Sequence, residues 1–165
     1  MFALLVLFFI SAGGCRKDET GKSSVIIKLT DTPAAYDAVN VEVIEVSIHS
    51  NTDGWISLDV ADSIYDLLTL QNNANAVLGT LTLPSGTVSQ VRLILGSNNS
   101  VVVNSTVFPL TLSSQDESGL KLNIHQTLAS NQTYTLVLDF DADASVHDNG
   151  NGTYKLKPVL SASFN

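Results

Sequence analysis

Val39-Asn40-Val41-Glu42-Val43-Ile44-Glu45-Val46-Ser47-Ile48-His49 is the stretch that decides the fold class. Val41, Val43, Val46 and Ile48 alternate with Glu42, Glu45 and Ser47, with one slip near Ile44. Successive side chains of a strand point to opposite faces, so β-branched residues at period two mark a strand with one face buried.

Working outward, the pattern repeats. Val91, Leu93 and Leu95 alternate with Arg92 and Ile94, and Leu120, Leu122 and Ile124 with Lys121 and Asn123. Tyr134, Leu136 and Leu138 alternate with Thr135, Val137 and Asp139, and Tyr154, Leu156 and Pro158 with Lys155 and Lys157. Turn residues separate these runs: Asn51-Thr52-Asp53-Gly54, Pro84-Ser85-Gly86, Ser97-Asn98-Asn99 and Asp148-Asn149-Gly150-Asn151-Gly152. Strands are expected at 24–30, 39–49, 55–59, 88–96, 101–104, 107–112, 119–124, 133–141 and 154–163. Together they predict an all-β chain, an antiparallel β-sandwich of about seven to nine strands, immunoglobulin-like or transthyretin-like. The immunoglobulin Cys-Trp-Cys spacing is absent, since the chain has one cysteine and one tryptophan. A short helix is expected within 65–83, where Leu67, Leu68, Leu70, Val77, Leu78 and Leu81 cluster, although Asn72-Asn73-Ala74-Asn75 argues against a continuous one.

Toward the N-terminus the pattern changes. Met1 to Ile10 is an unbroken apolar run, too short to span a bilayer core of about 30 Å as a helix. Ser11-Ala12-Gly13-Gly14 and then Cys15 follow, and Ala12-Gly13-Gly14-Cys15 resembles a lipobox with Ala in place of the usual Leu. The reading is a lipoprotein signal peptide over 1–14, a Cys15 that is acylated, and a flexible tether over 15–23. No Lys or Arg precedes the apolar run, which departs from the usual signal and places the true start upstream. Arg16-Lys17-Asp18-Glu19 resembles the signal that sends Bacteroidetes lipoproteins to the outer face of the outer membrane. Residues 24–165 are then a single β-sandwich domain of an outer-membrane lipoprotein facing outward, held to the membrane by its lipid anchor and monomeric.

Composition narrows the partners. Eight Lys+Arg against sixteen Asp+Glu give a net charge of −8. Nucleic acid is excluded, because phosphate contacts need clustered cations. A single cysteine leaves no intrachain disulfide and no cysteine zinc site. At 44% apolar residues the chain can build a core.

Several ordered stretches carry a family resemblance. They are Leu29 to Val39, Gly54-Trp55, Tyr65 to Asn72, Gln90 to Leu95, Ser118 to Leu122, Leu138 to Ala142 and Leu156 to Leu160. Their order and spacing resemble the bacterial domain-of-unknown-function family 4382. The resemblance implies a secreted or lipid-anchored β-sandwich and no assigned activity. It also implies structural importance for Asp31 and Asp37.

Candidate sites are few. Asp139, Asp141 and Asp143 would share one face of an extended strand, where three carboxylates repel unless solvated or bridged by a hard cation such as Ca²⁺. No other cofactor is expected. Trp55 follows a turn at the start of a strand; it packs the core or lids the sandwich edge, or it offers a sugar-stacking platform. Tyr36 is the second aromatic placed at a ligand contact. His49, His125 and His147 are far apart and have no metal spacing, and no Gly-x-Ser-x-Gly, Walker or Rossmann motif occurs. No catalytic residue is named and no enzyme is expected. Three functions follow in order: a binding or adhesion module for glycan or protein, with exposed aromatics near Trp55 or Tyr36; an envelope-assembly component pairing through a strand edge, with Ser24 to Leu29 as the candidate edge; and a hydrolase, which needs convergent carboxylates or a Ser/His pair.

Overall fold

The structure is a computed structural model and describes residues 21–113 and 118–165, with backbone only for 61–63. The expected signal peptide, Cys15 and the expected tether as far as residue 20 lie outside the described residues. Among the described residues twelve strands run in order: β1 Lys22–Thr32, β2 Ala38–Ser50, β3 Gly54–Asp66, β4 Ala76–Pro84, β5 Gly86–Leu95, β6 Asn99–Val103, β7 Thr106–Leu112, β8 Leu120–Leu128, β9 Thr133–Asp141, β10 Val146–Asp148, β11 Tyr154–Leu156 and β12 Leu160–Phe164. A single helical turn, α1 (Ala142–Ser145), lies between β9 and β10.

They form two sheets. The smaller has the order β12-β9-β1-β4, and the larger follows β10-β11-β7-β6-β2-β5-β8 with β3 on the other side of β2. Pairing is antiparallel except for β1 with β9 and β11 with β7. The inner faces meet in one core: Val25, Ile27, Leu29, Leu136, Leu138 and Phe140 from the smaller sheet, and Val39, Val41, Val43, Val46, Ile48, Val91 and Leu93 from the larger. Each such side chain contributes roughly 1.5–3 kcal/mol by leaving water. The all-β sandwich expected from the alternation is therefore what the chain forms. The strand number exceeds seven to nine because long runs break: the run expected at 154–163 splits into β11 and β12 around Pro158, and the three-residue β10 is too short to show a period.

The slip at Ile44 is a β-bulge. Val43 pairs with Ser63 and Leu95 while Glu45 pairs with Asp59 and Ile94, which leaves Ile44 opposite no residue. The extra residue changes the phase of β2. Val41 and Val43 face inward before it, Val46 and Ile48 after it, so Glu45, Ser47 and His49 turn outward.

The short helix expected within 65–83 is present as one turn, and a second bulge explains why the helical pattern runs on past it. Ile27 pairs with Gly79 and Lys28 with Val77, so Leu78 is the unpaired residue. The extra residue brings Leu78 and Leu81, three apart, onto the buried face and imitates a helical stripe. The helical part of 65–83 is only the 3-10 turn Leu67–Leu70, and 76–84 is strand. Asp66 caps the turn, its Oδ1 accepting from Leu68 N at 3.1 Å and from Val39 N at 3.3 Å. Gln71 turns extended and ends it, and Asn72 and Asn73 follow with φ of 55° and 70°. Gly79 has no space for a side chain, because a Cβ there would lie 2.7 Å from Leu58 Cδ2.

Two further expectations change. Ser24 to Leu29 is no free edge: β1 lies between β4 and β9, with Val25, Ile27 and Leu29 fully buried. β1 also begins at Lys22, inside the segment read as tether.

Candidate functional site

The outer face of the larger sheet carries the most distinctive surface. Across β3, β2, β5 and β8 the register sets two rows: Trp55–His49–Gln90–Asn123 and Ser57–Ser47–Arg92–Lys121. Two bulges put these side chains there. The first is at Ile44. The second is at Ser89, where His49 pairs with Gln90 and Ser50 with Val88, leaving Ser89 between them. Bulges are a common means of re-aiming side chains near functional sites.

Trp55 is 36% exposed and stands outside the core. The His49 ring meets it edge-on at 5.1 Å, and the Arg92 guanidinium carbon lies 5.0 Å from its ring centroid. Arg92 Nη2 donates to Glu45 Oε1 at 3.5 Å and to Ser47 Oγ at 3.4 Å. Glu45 Oε1 also accepts from the Ser47 and Ser57 hydroxyls. Those hydrogen bonds, Ser47 foremost, with the Arg92 charge behind them, hold the Glu45 carboxyl below its ordinary value despite some desolvation. At the other end, Gln90 Nε2 donates to Asn123 Oδ1 at 2.9 Å. The surface thus combines an indole, a guanidinium, an imidazole and a row of amides and hydroxyls.

His49 Nδ1 is 3.0 Å from Ser89 Oγ. This is the one Ser/His pair hydrogen-bonded among the described residues. No carboxylate among them hydrogen-bonds the ring to orient it, as a Ser-His-acid arrangement requires.

Tyr36 lies elsewhere. It precedes β2, whereas Trp55 pairs with His49 near the far end of that strand. A separation of on the order of 35 Å follows from the strand rise. Tyr36 packs on the core rim with Phe108 and Tyr154, whose rings are 5.0 Å apart. Burial pushes its hydroxyl pKa up, with Asp143, Tyr154 and Asp148 adding to the shift. The two aromatics read as ligand contacts are therefore not brought together.

The three aspartates are not on one strand face. Asp139 and Asp141 lie in β9 beside Thr30 and Thr32 and border a cleft of about 270 Å³ with Ser161. Asp143 lies beyond the strand end, in α1. Asp141 is the cap of that turn, its Oδ1 accepting from Ala144 N at 2.9 Å, which breaks the extended spacing. No group of three or more His, Cys, Asp or Glu able to hold a metal occurs among the described residues.

Asp31 proves to be the central carboxylate of this corner. It is 5% exposed; Oδ1 accepts from Ala142 N at 3.0 Å and Oδ2 from Gln71 Nε2 at 3.3 Å. Desolvation raises its pKa to about 6 against those hydrogen bonds, with Asp139 and Asp141 adding repulsion. Fully buried Ser145 completes the corner, accepting from Val159 N at 2.8 Å and donating to Asp141 O. Here the chain leaves the smaller sheet after β9, crosses through α1 to β10 and β11, and returns as β12. Asp37 is structural too, its Oδ2 accepting from Ser105 N at 2.8 Å.

Sequence reasoning missed Arg92, Glu45, His49 and Ser89 as a group. The slip at Ile44 was the available signal, because it shows that the face shared by Glu45, Ser47 and His49 is the one opposite Val46 and Ile48.

Residues 22–158 match the family described as Domain of unknown function (DUF4382), and the chain belongs to that family. No curated protein and no solved structure matches.

Proposed function

We propose that this member of the DUF4382 family is a lipid-anchored protein of the bacterial cell envelope whose sandwich binds glycan through the outer face of the larger sheet. Acylated Cys15 holds it in the outer membrane, and the charged residues after it direct the domain outward. Two or more acyl chains give a stable anchor. The single observation that carries the binding reading is Trp55, exposed beside Arg92 and His49 on a surface aimed by two bulges. An indole offers an apolar face for a sugar ring, and the neighbouring amides, hydroxyls and guanidinium can meet its hydroxyls. The same residues support binding better than hydrolysis, because the His49–Ser89 pair has no orienting acid. The domain acts as a monomer and needs no cofactor.

The test is retention of the full chain, in mild detergent, on a panel of immobilised polysaccharides, with Trp55→Ala beside it. The wild type is retained by at least one glycan, and Trp55→Ala is released. Equal retention of both proteins overturns the assignment of the face. Lipid labelling that persists in Cys15→Ala overturns the anchor.

A second reading, assembly through a strand edge, is favoured by β8. Among the described residues it pairs only with β5, and Leu120, Leu122 and Ile124 are half-buried. Site-specific crosslinks from Asn123 to another envelope protein would support it.

A further inference from the structure

The register places two cations directly opposite each other on the outer face: Arg92 of β5 pairs with Lys121 of β8. Cβ atoms of such a pair are about 5 Å apart, and like charges directly opposite are destabilising. The chain has eight Lys+Arg against sixteen Asp+Glu, so this juxtaposition runs against its composition. Among the described residues Lys121 has no ion pair, and Arg92 has one, to Glu45 at 3.5 Å.

The guanidinium is also under-satisfied. Among the described residues only Nη2 finds acceptors, over 3.4–3.5 Å; Nη1 has none, and Nε is buried without one. Unsatisfied polar groups of this kind call for a partner. An anion held between Nη1 of Arg92 and Nζ of Lys121 would not reach the buried Nε, but it would give the partly exposed end of the guanidinium a partner and relieve the repulsion between the two cations. Trp55, packed on the guanidinium, then lies next to whatever the anion is attached to.

We infer that the glycan is acidic: a polysaccharide bearing carboxylates, whose carboxylate sits between Arg92 and Lys121 while a sugar ring lies against Trp55. This rests on the glycan reading above and narrows it. The carboxylates of the same face, Glu45 and its register partner Asp59, lie together toward one end, with Glu45 already paired to Arg92. The anion therefore belongs on the Lys121 side. A planar fork with unused donors matches a carboxylate better than it matches neutral hydroxyls.

The experiment is affinity electrophoresis of the full chain in mild detergent through gels containing either polygalacturonate or a neutral glucan. Wild type, Arg92→Ala, Arg92→Lys, Lys121→Ala and Trp55→Ala are compared at low and high salt. Retardation by the polyuronate alone is expected. A charge-assisted hydrogen bond lost with Arg92→Ala weakens it about tenfold or more. Lys121→Ala weakens it less, Arg92→Lys falls between, and salt reduces it in every case. Equal retardation by the neutral glucan, lost in Trp55→Ala but not in Lys121→Ala, overturns the acidic-ligand inference and leaves the glycan reading standing. Retardation by neither, in a protein with native circular dichroism, contradicts both. Because Lys121 is exposed, its variant decides the matter even if Arg92→Ala fails to fold.

Discussion

Two polar clusters in this protein are built from similar groups and lead to opposite roles. At the corner, Asp31, Asp141 and Ser145 hold the turn between the sheets. On the outer face, Glu45, Ser47 and Arg92 lie beneath Trp55. In the corner both Asp31 oxygens accept hydrogen bonds, and the Ser145 hydroxyl both accepts and donates. On the outer face Arg92 keeps donors without acceptors. The corner is closed on itself, whereas on the outer face Arg92 Nε is buried without an acceptor and stands as a local cost, the rest of the guanidinium being partly open to solvent and to a ligand.

The comparison can be broken first at its foundation. Phe140 pairs with Asp31 in the β1–β9 register, and it is fully buried. Phe140→Ala should cost about 3–5 kcal/mol, through lost burial and the cavity left behind. Urea unfolding measures it, and a cost near zero would mean that the corner does not hold the fold. Ser145→Ala comes next. It strands Val159 N–H and removes the hydroxyl bond to the Asp141 carbonyl, and should lower stability by about 1–3 kcal/mol. Glycan retention of its folded fraction should be unchanged, and a parallel loss of binding would show that corner and face are one site.

Asp31 sharpens the contrast through pH. Its folded pKa, about 6, lies above the ordinary aspartate value of 3.8, so the native state holds the proton more tightly than the unfolded chain. The contribution is therefore fully present below pH 3.8. It declines as pH rises through about 6, and above that the buried charge is a standing cost. In Asp31→Asn this decline between about pH 4 and 6 should vanish from the stability curve. An unchanged slope would assign it to other groups. The smallest effect on folding belongs to the outer face. Trp55→Ala and Lys121→Ala should alter stability by within about 0.5–1 kcal/mol while abolishing or weakening glycan retention. Equal losses of stability and binding would erase the distinction between the two clusters.

The sandwich was legible because alternation is a local pattern: Val41 to Ile48 and Leu120 to Ile124 announce which face is buried. It failed where geometry inserts a residue. Leu78 at its bulge imitated a helix, and Asp141 as a helix cap removed Asp143 from the strand face on which period two had placed it. The candidate site was only partly legible. Trp55 could be singled out by its position after a turn, but its neighbour Arg92 comes from a strand about 35 residues away, and no local pattern joins them. Asp31 looks like any turn aspartate in sequence; its burial depends on α1, more than 100 residues later.

The most direct measurement uses the fact that Trp55 is the chain's only tryptophan. Its fluorescence should be recorded while polygalacturonate is added to the full chain in mild detergent. A saturable change in intensity or emission wavelength, weakened in Lys121→Ala, is the predicted result. Binding that is seen by retention yet leaves the Trp55 emission untouched would place the ligand elsewhere and contradict the account.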